Sequence, residues 1–206
     1  MKTTILAFFI ALLASCSNDS TDKDPVFQLP AETQTGANTF GVTIKGKVYV
    51  PRDPAGFNFG PQGKGMIWWG DHTANDHLYN ELVVVDGASA LGFKMVIHIQ
   101  DIYNLGIGEY VLCQSNFKQG IDSVPNTHMY FYIWDNNIKN YAYYGSVENQ
   151  GEIKITRYDG SLTVNWILSG TFKGKFARYN HPDDIIEIND GRFDINLNTI
   201  NTTPFP

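Results

Sequence analysis

From Thr39 onward the chain is governed by a hydrophobic period of two. Phe40, Val42 and Ile44 alternate with Gly41, Thr43 and Lys45, and Gly46 then turns the chain into Lys47-Val48-Tyr49-Val50. Successive side chains of an extended strand point to opposite faces, so this spacing dictates half-buried strands and leaves a helix no apolar stripe. Lys45-Gly46 suits the tip of a tight hairpin. Glu81-Leu82-Val83-Val84-Val85 and Phe93 to Ile99 flank Asp86-Gly87-Ala88-Ser89 as a second hairpin. Further strands are expected at 109–113, 128–134, 141–144, 152–158, 164–176, 185–188 and 192–197. Their separators are the turn-forming pairs Asn136-Asn137, Asp159-Gly160 and Asp190-Gly191. Leu168, Phe172 and Phe176 share one face with Gly170 and Gly174 between them, while the other face carries Ser, Thr and Lys. Short strands joined by tight turns imply an all-β chain, antiparallel and mostly meander. A β-sandwich or flattened barrel is the expected fold, with a lipocalin-like barrel as the alternative.

The beginning of the chain is a different material. Ile5 to Leu13 is apolar throughout and follows Lys2. Nine helical residues rise only about 14 Å against a hydrocarbon core of about 30 Å, so this run has the length of a signal-peptide core and not of a span. Leu13-Ala14-Ser15-Cys16 resembles the lipobox of bacterial lipoproteins. The resemblance implies that the Cys16 thiol takes a diacylglyceryl group, that the chain is cut before Cys16, and that the new amine is acylated as well. Two or three acyl chains anchor firmly, since each buried methylene contributes about 0.8 kcal/mol. The expected organisation is a signal peptide over 1–15, a lipidated and flexible tether over 16–38, one β domain over 39–200 and a tail over 201–206. The tether is polar, carries Pro25 and Pro30 and shows no apolar period. Asp19, Asp22 and Asp24 partly resemble the acidic export signal of Bacteroidetes surface lipoproteins, with Lys23 interrupting the cluster. With Cys16 lipidated, Cys113 has no partner for an internal disulfide. It sits in the apolar run Tyr110-Val111-Leu112-Cys113 and is expected to be a buried, inert thiol.

A net charge of −6 at pH 7 argues against nucleic acid as a partner, since phosphates call for a cationic surface. Thr35-Gly36-Ala37-Asn38-Thr39-Phe40-Gly41 and Gly46-Lys47-Val48-Tyr49 are similar to the opening of a Bacteroidetes lipoprotein family of unknown function. Gly151 to Thr156, Leu168 to Phe172 and Asp190 to Asp194 resemble its closing strands. The stretch Arg52 to Val147 carries no part of the likeness. The resemblance implies a β domain anchored to the bilayer through acylated Cys16, in the outer membrane, periplasmic or surface-exposed, with no assigned catalytic residues. Arg192 and Asp194 are expected to fix a turn by hydrogen bonds.

Chemistry has few places to reside. Asp71-His72 and Asp76-His77 supply nitrogen and carboxylate groups of the kind that ligate Zn²⁺, but a spacing of five brings groups together on neither helix nor strand. The chain lacks a Gly-x-Ser-x-Gly elbow, a His-Glu-x-x-His pair and a phosphate-binding glycine loop, and no cofactor is expected. His98 alternates away from Ile97 and Ile99 and is expected to be a satisfied histidine. Aromatic residues are the better signal. Trp68, Trp69 and Tyr79 lie in or near a Gly/Pro-rich connection, and Tyr130, Tyr132 and Trp134 share one strand face. Flat rings of this kind stack on the C–H faces of sugars. Asp19-Ser20-Thr21 and Asp122-Ser123-Val124 resemble the O-glycosylation sites of Bacteroidetes, at Ser20 and Ser123. The functional expectation is a membrane-anchored envelope lipoprotein acting as a non-catalytic binding or structural module, toward glycans or another envelope protein. A carbohydrate-active hydrolase and a lipocalin-like carrier of a small apolar ligand are the alternatives.

Overall fold

The computed structural model describes residues 25–54, 63–70, 80–89, 91–160 and 166–206. The chain is all-β: one antiparallel sheet, curled into a half-barrel. Its strands are β1 (Thr39–Ile44), β2 (Lys47–Tyr49), β3 (Met66–Gly70), β4 (Asn80–Asp86), β5 (Phe93–His98), β6 (Gly108–Val111), β7 (His128–Asp135), β8 (Asn140–Tyr158), β9 (Ile167–Arg178) and β10 (His181–Asn196). They are ordered β2-β1-β10-β9-β8-β7-β5-β4-β3. The first half of β8 pairs with β7, and its second half pairs with β6. Among the described residues, no helix is long and apolar enough to cross a membrane.

Alternation decides which face is which. Phe40, Val42, Leu82, Val84, Met95, Ile97, Met129, Phe131, Ile153, Leu168, Phe172 and Phe193 all join one buried cluster that draws on strands from β1 to β10. That inner face is packed with side chains and forms the core. The β1–β2 hairpin turns at Lys45 (φ 50°) and Gly46 (φ 77°), the paired left-handed geometry that favours glycine and matches strand twist.

Several expected boundaries differ from the structure. The strands expected at 141–144 and 152–158 are one strand, β8, with a register shift between Ser146 and Gly151. Those expected at 185–188 and 192–197 are likewise one strand, β10, shifted between Ile188 and Gly191. Asp190-Gly191 is therefore a bulge and not a turn. Gly191 serves close approach, because a Cβ there would lie 2.1 Å from the Phe172 ring. Met66–Gly70, expected inside a long connection, is strand β3.

Both flanks of the domain belong to the body. Residues 30–38, expected as tether, lie against the sheet. Arg192 donates to the Pro30 carbonyl at 3.2 Å, Arg157 donates to the Gln34 carbonyl, and Asn196 N–H donates to Asn38 Oδ1 at 2.8 Å. Ile200 and Phe205, expected to bound or form a tail, are buried in the core. Asn201 mimics a strand partner for β3, accepting from Trp68 N–H at 2.9 Å and donating to its carbonyl at 3.1 Å. Asp53 ties this end down, accepting from Gly65 N–H at 2.6 Å and Phe205 N–H at 3.1 Å.

Candidate binding site on the outer face

The residues that alternate away from the core on β3, β4, β5 and β7 form cross-strand rows. Trp69, Glu81, His98 and His128 stand in register as one row. Ile67, Val83, Val96 and Tyr130 form the next, and Val85, Lys94, Tyr132 and Tyr143 the one after. Apolar side chains on both faces make this part of the sheet a two-sided layer that needs a second cover.

Residues 113–127, between β6 and β7, supply part of that cover as a strap. Cys113 N–H donates to the Thr127 carbonyl at 2.8 Å and Ser115 N–H to the Ser146 carbonyl at 3.1 Å, which fixes the strap's base. Phe117 packs on Tyr130, with ring centroids 6.2 Å apart, against the small apolar cluster of Val83, Val96 and Tyr130. Glu81, 1% exposed, accepts the Gly120 N–H at 2.9 Å. Gln119 bridges two strands: its Oε1 accepts from Lys94 Nζ at 2.9 Å, and its amide hydrogen-bonds Glu81. Burial pushes the Glu81 carboxyl above its ordinary value, and the Gly120 N–H, Lys94 and Gln119 oppose that shift. Burial pulls the Lys94 ammonium down, and the charge of Glu81 opposes it.

Beneath the strap His98 and His128 stack with ring centroids 4.9 Å apart. Both donate from Nδ1 to the Asn126 carbonyl, at 2.6 and 2.9 Å. Burial pulls His128 down to about 4; the Asn126 carbonyl opposes this, His98 reinforces it, and the Lys118 carbonyl opposes it. A histidine held neutral in the fold stabilises fully above its ordinary 6.5, and that contribution is lost as pH falls toward 4. Urea titrations across this window are expected to show a loss of about 3 kcal/mol from this group, flattened in His128→Gln.

Where the strap ends, a cavity of ≈ 640 Å³ opens over β3 and β4. Ile67, Val83 and Val85 form its floor, Trp69 and Tyr132 its walls, and Lys64, Lys94, Gln119 and Gly120 its polar rim. Trp69 is 41% exposed there. Its register places it three strands across and four residues along from Tyr132, a diagonal of about 20 Å by strand spacing and rise. Beyond Tyr132 the rings continue: Tyr141 and Tyr143 lie 5.0 and 5.2 Å from it, and Trp134 lies 5.5 Å from Tyr141.

The aromatic residues singled out in the sequence are divided by the fold. Trp69, Tyr130, Tyr132 and Trp134 alternate to the outer face, with Tyr130 under the strap and Trp69 and Tyr132 lining the cavity. Trp68 points into the core. Tyr79 and the Asp71, His72, Asp76 and His77 set lie outside the described residues, as do Cys16 and Ser20. Among the described residues, no group of three or more His, Cys, Asp or Glu side chains is placed to hold a metal. Ser123 is half-buried, and its hydroxyl donates to the Val124 carbonyl at 3.2 Å. Cys113 is a free, half-buried thiol, pushed up by burial and then by Glu148. Sequence reasoning missed Glu81, Lys94 and Gln119. Glu81 and Lys94 carried a signal in strand parity, which sets both on the face opposite Leu82 and Met95; Gln119 carried none.

No protein-family model, no curated protein and no solved structure matches this chain.

Proposed function

We propose that this is a lipid-anchored envelope protein whose outer-face cavity binds carbohydrate without transforming it. One observation carries the binding reading: an open cavity with an apolar floor, aromatic walls at Trp69 and Tyr132 and hydrogen-bonding groups at Lys94 and Gln119. Ring faces take the C–H surfaces of sugars, while a few placed polar groups fix their hydroxyls. The diagonal suits an extended chain of several rings better than a single small molecule.

The hydrolase alternative has less support. Glu81 is the one carboxylate lining the cavity among the described residues, and it is engaged by the strap's Gly120 N–H and Gln119 amide. Glycoside hydrolysis uses a pair of carboxyl groups on either side of the scissile bond. The carrier alternative calls for space inside the barrel, where Phe40, Phe131, Phe176 and their neighbours are packed.

The anchor rests on the resemblance of Leu13-Ala14-Ser15-Cys16 to a lipobox. Native protein is expected to begin at Cys16 with acyl mass attached, read by intact mass spectrometry, and to quench its tryptophan fluorescence on binding glycans. An unmodified Cys16 removes the anchor, and flat fluorescence across an array of glycans removes the binding reading.

A further inference from the structure

Resting on that carbohydrate reading, we infer that the cavity selects anionic saccharides, those bearing carboxylate or sulfate groups, with Lys94 as the group that pairs with the anion. Charge in the cavity contrasts with that of the rest of the molecule. The chain carries 21 acidic against 15 basic residues, yet among the described residues the cavity is lined by Lys64 and Lys94 against a single carboxylate.

That carboxylate is not free to neutralise a lysine fully. Glu81 is buried at the strap, where it accepts the Gly120 N–H at 2.9 Å and hydrogen-bonds the Gln119 amide. Lys94 gives one of its three N–H groups to Gln119 Oε1 at 2.9 Å. It attracts Glu81 across the intervening amide and forms no direct ion pair with the carboxylate. The ammonium is thus held at the cavity wall by a neutral acceptor, with donors left over. Burial works against its charge. A ligand anion restores the missing compensation and gains a charge-assisted hydrogen bond in a partly desolvated place. A neutral sugar hydroxyl gains only an ordinary one.

Lys64 plays the weaker part. It lies 3.8 Å from Asp53, an ion pair at the edge of contact distance, and donates to the Thr203 carbonyl at 3.5 Å. It adds positive potential at the rim without being positioned for one oxygen. The apolar floor of Ile67, Val83 and Val85 between the two lysines has no hydrogen bonds to offer, so it takes ring faces while the ammoniums take the substituents. Gln119 and Glu81 are positioning residues in this account, since they fix Lys94.

The test is an array of uronic-acid, sialylated and sulfated glycans beside their neutral counterparts, followed by titration of full-length protein. Wild type is expected to bind acidic members in preference, with affinity falling as salt rises. Lys94→Gln shortens the side chain by one atom and removes a partly buried charge that forms no direct ion pair, so the fold is expected to be preserved. It is expected to weaken acidic members about tenfold or more and neutral members by much less, since a neutral hydroxyl loses only an ordinary hydrogen bond. Trp69→Ala is expected to weaken both classes. Binding confined to neutral glycans, or acidic binding unmoved by Lys94→Gln, overturns the anion inference and leaves the carbohydrate reading standing. Binding to no glycan on the array overturns both.

Discussion

Asp194→Ala is expected to lower the unfolding free energy by about 3–4 kcal/mol, because buried donors that lose their acceptor each cost about 1–3 kcal/mol. Asp194 is 2% exposed on β10 and accepts six hydrogen bonds. Oδ1 takes Gly36 N–H at 2.8 Å and Ser169 Oγ–H at 2.7 Å. Oδ2 takes Thr33 Oγ–H at 2.6 Å, Thr35 N–H at 2.9 Å and weaker contacts from Thr35 Oγ and Ala37 N–H. Burial pushes the carboxyl up, but donors from Thr33, Ser169, Thr35 and Gly36 outweigh it and hold the group down at about 2. A depressed carboxylate stabilises fully above its ordinary 3.8, and that contribution fades as pH falls toward 2. In Asp194→Ala the amides of Thr35, Gly36 and Ala37 are expected to lose hydrogen-exchange protection while the core of β9 keeps it. Asp194→Asn retains one acceptor oxygen and is expected to fall between the two. Equal stability in wild type and Asp194→Ala would mean that water replaces the carboxylate without cost.

The position of Asp194 also bears on the tether. In the proposed anchored protein, the carboxylate grips residues 33–37 between Cys16 and the first strand. A clamp of this kind passes any pull on the anchor into β9 and β10, through Ser169 and Asp194, instead of into the exposed tip of a hairpin.

Alternation made the sheet legible, and the same rule explains where the sequence misled. Asp-Gly at 190–191 has the composition of a turn, but Gly191 is there because Phe172 fills the space a side chain would need. Nothing local distinguishes the two uses of glycine. The Ser146–Gly151 irregularity in β8 is similar: Asn149 at φ 56° interrupts the period as a turn would, while the strand continues and changes partner from β7 to β6. For the site, parity placed Tyr130, Tyr132 and Trp134 together, and parity separates Trp68 from Trp69 once 66–70 is recognised as a strand. The strap was not legible at all. Gln119 and Gly120 reach Lys94 and Glu81 across 25 and 39 residues of chain, a meeting that only the closed sheet creates. Arg52 and Asp86, 34 residues apart, were hidden for the same reason.

That last pair joins the two ends of the strand order, and breaking it is expected to cost about 3–5 kcal/mol. Arg52 follows β2, at one end of the sheet, and Asp86 closes β4, next to the other end. Arg52 Nε and Nη2 donate to the two Asp86 oxygens at 2.6 and 2.9 Å, with both side chains less than a tenth exposed. Backbone bonds run alongside, from Arg52 N–H to the Val85 carbonyl at 3.0 Å and from Gly87 N–H to the Arg52 carbonyl at 2.9 Å. Asp86→Ala takes the two carboxylate acceptors away from a guanidinium buried against Phe27, and that lost compensation destabilises the seam. The fork of two parallel bonds makes lysine a poor replacement for Arg52. An Arg52→Met, Asp86→Leu double variant removes both charges at similar volume and is expected to recover most of the loss, since burying an ion pair returns little beyond its own desolvation. A double-mutant cycle by urea denaturation reads the coupling directly. Val85 supplies both a carbonyl to this seam and a side chain to the cavity floor. Asp86→Ala is therefore expected to weaken ligand binding at temperatures where the chain is still folded, and the double variant to restore it. If Asp86→Ala leaves stability unchanged, the half-barrel holds its curl through the core alone and the seam contributes nothing.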